Sequence, residues 1–324
     1  MSKYIKIFIV SFLFILEVSI ARADLIGNLV LDPVNPGPYS SVTVTLTSYD
    51  FDVDNSNISW TINGKLVSSG PGVKQIKITT GAVGTATNIS AKATVPGGQI
   101  FRATMMLTPA SVDLTWESPE SFVPPFYEGR SLPAEGATVR VNATPHMSSL
   151  GKVLSSADVS YAWYKNDEFI DKLSGRGKSS ADINLEYLTD VTSVKVVARA
   201  PDGSTATKSI DLYPHNIVPI FYLYDPILGP DLSNAITKRF ETTKEFTLRF
   251  IPFFFSLNKV AGSGATFSWT IDGLPITTED DTTVTLRPKE NSYGSRVLGI
   301  NLENSNRILQ NTESTLNVVF DTRQ

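Results

Sequence analysis

From Ile58 to Ile62, and again from Phe267 to Ile271, apolar residues fall on every second position. Ile58, Trp60 and Ile62 share one side with Ser59 and Thr61 between them, as Phe267, Trp269 and Ile271 do around Ser268 and Thr270. Period-2 alternation predicts strands with one buried face. Asn63-Gly64 and Asp272-Gly273 come next, dipeptides that accept the positive φ angles of a two-residue hairpin turn. A looser copy carries Tyr161 and Trp163 inward and turns at Asn166-Asp167, although its alternation fails at Tyr164 and Lys165.

Each tryptophan is followed by a second predicted hairpin, turning at Pro96-Gly97-Gly98, Pro201-Asp202-Gly203 and Asn304-Ser305-Asn306. Each is preceded by an opening strand that runs into proline: Pro33, Pro119 and Pro226. Proline cannot donate to a central ladder, so all three opening strands are expected at sheet edges. These prolines stand 27, 44 and 43 residues before Trp60, Trp163 and Trp269, which gives the second and third copies an extra loop. The tryptophans are 103 and 106 residues apart, the length of one β-sandwich of ~100 residues per repeat. No amphipathic helix of useful length is predicted after residue 23. The expectation is an all-β chain of three tandem β-sandwich domains, residues 25–109, 111–213 and 216–322, after an N-terminal signal helix.

A core-strand tryptophan followed by Thr-Ile-Asn-Gly (61–64) or Thr-Ile-Asp-Gly (270–273) resembles bacterial immunoglobulin-like domains, the PKD-like group in particular. The aspartate-rich loop before Trp60 and the Pro-Gly hairpin after it belong to the same resemblance, which spans the whole mature chain. The Trp-Asp-Phe-Gly-Asp-Gly strand end of PKD domains and the paired cysteines of antibody domains are missing. Such domains serve extracellular and envelope proteins as spacers, adhesion units or binding modules. The resemblance therefore implies a non-enzymatic structural or binding role, through surface recognition or strand addition at an open sheet edge.

The first 23 residues sharpen the location. Lys3 and Lys6 precede an apolar run from Ile7 to Leu16, and Ala21-Arg22-Ala23 forms a cleavage site before Asp24: a secretory signal peptide. A retained N-terminal anchor is the alternative, and it is the one route to a membrane that the sequence offers. A span needs about 20 apolar residues, and Glu17 interrupts this run. Residues 1–23 contain no cysteine to lipidate. The expected site of action is secreted, periplasmic or cell-envelope. Losing Lys3, Lys6 and Arg22 along with Glu17 takes the net charge from −4 to −6, which gives no support for nucleic-acid binding, where a clustered basic face is expected. With no cysteine in the chain, stability rests on the cores alone, which domains of ~100 residues can supply.

Candidate chemistry is sparse. Asp50, Asp52 and Asp54 are spaced as oxygens that could wrap Ca²⁺, the one cofactor considered. As a twelve-residue calcium loop the stretch fails, with Asn55 at the glycine position and Thr61 at the glutamate position. A solvated polar loop is the competing reading. Gly177-Lys178-Ser179 lacks the glycine of a phosphate loop, since Lys172 occupies its place, and predicts a mobile loop. Phe253 and Phe254, in the run Phe250–Phe255, read either as an exposed partner-binding patch or as strands buried in the third core or against the second domain. Phe126, Tyr127 and Arg130, in the proline-rich stretch 121–136, read as interface anchors or as a segment tucked onto its own domain. An envelope or extracellular protein is the expected partner. Carbohydrate is the alternative, held on a flat aromatic platform of Trp116 and Tyr127. His146 and His215 come with no zinc spacing and no nucleophile elbow, so no enzyme is expected.

Overall fold

The computed structural model describes residues 25–125, 127–149, 151–257, 264–307 and 310–323. Residues 1–23 and Phe126, which the sequence assigns to a signal segment and a partner contact, lie outside the described residues. The described chain is 58% strand and 2% helical, with several antiparallel sheets, and so belongs to the all-β class. Among the described residues no helix is long and apolar enough to cross a membrane.

Seven strands form the first pair of sheets: β1 (Gly27–Asp32), β2 (Ser41–Ser48), β3 (Asn57–Ile62), β4 (Lys65–Pro71), β5 (Gln75–Thr79), β6 (Thr87–Thr94) and β7 (Ile100–Leu107). Their orders are β1-β2-β5 and β4-β3-β6-β7. The second pair comprises β8 (Ser111–Glu117), β9 (Thr138–His146), β10 (Ser148–Ser149), β11 (Lys152–Val153), β12 (Ser160–Lys165), β13 (Glu168–Phe169), β14 (Gly175–Arg176), β15 (Ser180–Asn184), β16 (Thr192–Arg199) and β17 (Thr205–Leu212). It is ordered β15-β9-β8 and β13-β12-β16-β17, with β14 also on β12 and β10-β11 a small ribbon. The third comprises β18 (Val218–Asp225), β19 (Gly229–Ile236), β20 (Arg239–Thr242), β21 (Phe246–Phe253), β22 (Ala265–Ile271), β23 (Leu274–Ile276), β24 (Thr283–Leu286), β25 (Tyr293–Asn304) and β26 (Asn311–Asp321). Its sheets run β19-β18-β21-β24 and β20-β26-β25-β22-β23. By internal contacts the described residues divide into two units, one of those up to Leu31 with Thr43–Lys77 and Asn88–Met106, the other of Asp32–Val42, Ile78–Thr87 and those from Leu107 on.

The alternating heptads are strands, and their turns take the required backbone: Asn63 and Gly64 have φ of 48° and 80°, Asp272 and Gly273 of 51° and 79°. Trp60, Trp163 and Trp269 are buried, Trp163 in a cluster drawn from residues 110–212 and Trp269 in another drawn from 221–318. A buried indole N–H needs an acceptor, and each copy supplies a backbone carbonyl just downstream. Trp60 Nε1 donates to Val73 O at 2.7 Å, Trp163 Nε1 to Lys178 O at 2.9 Å and Trp269 Nε1 to Asp281 O at 2.9 Å. The stretch around Lys178, expected to be a mobile loop, is therefore tied to the second core. Lys178 Nζ also donates to Lys172 O at 2.8 Å, and Ser174 Oγ accepts from Trp163 N at 2.9 Å.

Two expectations about the opening strands need correction. β1 and β8 are edge strands, but β18 lies between β19 and β21. Pro226 falls after β18, in a turn where Asp225 Oδ1 accepts from the backbone N–H of Ile227 and Leu228, so it takes no ladder position. The extra length in the third copy is not a loop either. It forms β19 on the outside of β18 and β20, which pairs in parallel with β26. Only in the second copy, between β8 and β9, does the extra length stay irregular.

Candidate functional site

Glu117 ends β8, and as far as Thr138 the described residues include a single bridging residue, Ser121. Pro119 cannot continue a ladder, and serines close the segment on itself. Ser118 Oγ and Ser121 Oγ are 2.7 Å apart, and Ser131 Oγ donates to Ser121 O at 2.8 Å. Closed in this way, the segment offers its backbone to the residues at and beyond the end of β21. Phe122 N donates to Phe255 O at 2.8 Å, Phe254 N to Phe122 O at 2.7 Å and Leu257 N to Glu120 O at 2.9 Å, with Ser121 bridging Ser256. The second module's loop thus joins the third module through an isolated antiparallel bridge.

Side chains seal the same place. Tyr222, Ile251, Phe253 and Phe254 form a buried cluster, against which Phe122, Val123, Leu132 and Ile220 pack. Burial pushes the Tyr222 phenol above its ordinary pKa. In an unbroken strand Phe253 and Phe254 would point to opposite faces. A left-handed backbone at Phe254, φ 70°, breaks the alternation and brings the two rings within 6.1 Å. Positive φ is costly for a bulky residue, and here the bond to Phe122 O and the ring packing hold it. The exposed-patch reading of Phe253 and Phe254 is thereby corrected: both are less than 10% exposed, covered by the segment from the second module.

A polar layer adjoins this cluster. Gln310 is 1% exposed and uses its whole amide: Nε2 donates to Glu135 O at 2.7 Å and Ser256 Oγ at 3.0 Å, while Oε1 accepts from Ser256 N at 3.2 Å. Asn304 Nδ2 donates to Ser256 O at 3.0 Å. The Arg307 guanidinium donates to Gly136 O, to a Glu120 carboxylate oxygen and, at 2.9 Å, to Thr138 Oγ1. Their side chains are only about one-fifth exposed, 19% for Arg307 and 22% for Glu120. Charged groups this far from water are retained when each donor and acceptor is matched. Sequence reasoning missed Arg307, Gln310, Ser256 and Glu120.

The predicted anchors divide. Tyr127, 38% exposed, places its ring edge-on to Phe253 at 5.6 Å and Phe254 at 6.3 Å, as a cap on the buried cluster. Arg130 stacks its guanidinium over Trp116, 4.5 Å from the ring centre. Trp116 is half-buried against the second core. The expected flat platform of Trp116 and Tyr127 is not formed, because one ring face is occupied and the other ring is tilted into phenylalanines.

Asp50, Asp52 and Asp54 turn to separate partners. Asp50 Oδ2 accepts from Ile26 N at 2.8 Å, and Asp54 pairs with Lys74 at 2.9 Å. Asp52 accepts from Asn55 Nδ2 at 2.6 Å and from the backbone N–H of Asn55 and Asp54, and these bonds hold its carboxyl below the usual range. Among the described residues no group of three or more His, Cys, Asp or Glu is placed to hold a metal ion. His146 Nε2 lies 2.9 Å from exposed Asp113, and His215 Nδ1 lies 2.9 Å from Tyr213 O.

No protein-family model and no curated protein matches the sequence. Solved structures similar to the chain include the fibronectin(III)-like modules of Clostridium thermocellum CbhA, 16% identical, covering 58% of this chain and 94% of that one at a TM-score of 0.30. Immunoglobulin domains 1–5 of Sidekick-1 are 13% identical, covering 94% of this chain and 60% of that one at 0.30. Bacteroides ovatus SGBP-B, solved with a mixed-linkage heptasaccharide, is 16% identical, covering 88% and 65% at 0.20. These neighbours include immunoglobulin and fibronectin III modules and a carbohydrate-binding protein, and overlaps this slight say nothing of what the present chain binds.

Proposed function

We propose that this is a non-enzymatic protein of the secreted or cell-envelope space whose immunoglobulin-like modules present a fixed surface to a protein partner. The observation that carries the reading is the junction built by Glu120, Ser256, Arg307 and Gln310. It fills the space between two modules with matched polar groups and aromatic rings, which fixes their joint. A spacer or presenting module needs a stiff joint more than a cleft. The unpaired outer edges of β7 and β19, with Met106 and Leu232 exposed, are the places where a partner strand could add.

The N-terminal segment supports export, and mass spectrometry of the mature chain tests it: a chain beginning at Asp24 is expected. Photo-crosslinking residues placed at Met106 and Leu232 on intact cells test the partner. Protein adducts at either edge are expected. Adducts at neither, together with retention on a glycan panel, would replace this reading with the carbohydrate one.

A further inference from the structure

Phe246, at the end of β21 away from the junction, marks an opening between the two sheets of the third module with a cavity of about 380 Å³. Phe246, Ile271, Leu286, Leu298, Val318 and Phe320 line it, with Phe246, Leu298 and Val318 buried. A cavity of this size lies at the low end of small-ligand sites, about 300 Å³ and upward. Its rim is basic: Arg287, Lys289 and Arg296 line it together with exposed Tyr293. Two of these cations are matched, Arg287 by Glu245 and Arg296 by Asp272 at 2.8 Å. Lys289 makes no ion pair among the described residues, so the rim keeps one uncompensated positive charge. Arg323, stacked on Tyr293 at 3.8 Å, is paired with Asp321 and adds nothing to that balance. Glu290, next to Lys289 in the chain, does not line the cavity.

We propose that this cavity binds a free amphipathic carboxylate, its hydrocarbon body between the sheets and its head at Lys289. An apolar interior alone would take any hydrocarbon, and a basic rim alone would take any anion. Their juxtaposition selects a molecule with both parts in that order. Lys289 is a compact charge on a flexible stem, suited to following the head of ligands of different length. Nothing in the modular reading of the chain requires this site.

Calorimetry on the whole mature chain with hexanoate, octanoate and decanoate tests the body, and decanol tests the head. Affinity is expected to rise about fourfold per methylene until the cavity is filled. Decanol is expected to bind severalfold more weakly than decanoate. Lys289→Glu, at an exposed position that leaves the fold intact, is expected to weaken decanoate about threefold to tenfold and leave decanol unchanged. Ile271→Trp, which fills the cavity, is expected to abolish both, with circular dichroism confirming that it folds. Absence of binding by any of the acids overturns the site. Equal binding of decanoate and decanol, or no change in Lys289→Glu, overturns the assignment of the head. Preference for phosphatidylglycerol vesicles over decanoate overturns the assignment to a free ligand.

Discussion

Gln310 and Ser256 are bonded through both ends of the glutamine amide: Oε1 accepts from Ser256 N at 3.2 Å, and Nε2 donates to Ser256 Oγ at 3.0 Å. The same nitrogen reaches Glu135 O of the second module at 2.7 Å. Gln310→Leu keeps the volume but leaves Ser256 N and Glu135 O buried without a partner. Each such group costs about 1–3 kcal/mol, so urea unfolding followed by tryptophan fluorescence should show a loss of about 2–6 kcal/mol. A change under about 0.5 kcal/mol, ordinary for surface substitutions, would mean that water replaces the amide and the joint is not sealed.

Arg307 is held by geometry as much as by charge. Its guanidinium serves Gly136 O, Glu120 and Thr138 Oγ1 at once. Lysine has the charge but no planar fork to reach three separate acceptors. Arg307→Lys is therefore expected to destabilise nearly as much as Arg307→Met, by about 2–4 kcal/mol, somewhat below the ~3–5 kcal/mol for breaking a fully buried pair because these side chains keep about one-fifth of their exposure. Full recovery by lysine would reduce the contact to simple charge pairing.

In the second core, Trp163→Phe removes the donor to Lys178 O and leaves a void where the larger ring system was. The unmet carbonyl and the lost packing together should cost about 2–3 kcal/mol. Because Lys178 closes the loop that also carries Ser174, faster amide exchange is expected from 174 to 179 in the variant, ahead of the rest of the module.

What could be read from sequence was whatever leaves a local mark. Ile58-Ser59-Trp60 alternates because one side of β3 is buried, and Asn63-Gly64 follows because only such residues take φ of 48° and 80° cheaply. The junction leaves no such mark. Arg307 and Glu120 are 187 positions apart, and nothing around either shows that a turn in one module will meet a loop of another. Phe253 and Phe254 were ambiguous for a related reason: an apolar run without alternation is the same text whether a partner or the chain itself covers it. β18 was misplaced because Pro226 was assigned to the strand, whereas Asp225 turns the chain before the proline is reached. The cavity beside Phe246 depends on the gap between two sheets, which pattern along one strand does not encode.

The aspartate loop before β3 gives a test by addition. Asp52 is engaged by Asn55 and by two backbone N–H groups, and Asp54 by Lys74. Calcium would have to break these bonds to gather oxygens from three carboxylates that face different partners. Millimolar calcium is therefore expected to leave the Tm where chelator leaves it, while Asp52→Ala lowers the Tm with or without the ion. A rise in Tm with calcium that Asp52→Ala removes would show that the loop rearranges around the ion.

At the end of the last strand, the Asp321 carboxylate accepts from Arg323 Nε at 2.9 Å, Arg323 Nη2 at 2.8 Å and Arg323 N at 3.2 Å. The guanidinium is the main cause and the backbone N–H of Arg323 the second, and together they take the carboxyl from 3.8 down to about 2. A depressed folded-state pKa means that the native state holds its charge where the unfolded chain has begun to take up a proton. The stabilisation is complete above the unfolded value of 3.8, falls away as the pH drops toward 2, and leaves neutral-pH stability unaffected by titration. Carbon-detected NMR titration should place the Asp321 midpoint near 2 in the native chain, and Arg323→Ala should return it toward 3.8. Arg323 also lies over Tyr293 at 3.8 Å, so the same variant should shift the Tyr293 ring resonances at neutral pH. A midpoint that stays near 2 after the arginine is removed would assign the shift to the backbone N–H of residue 323 instead.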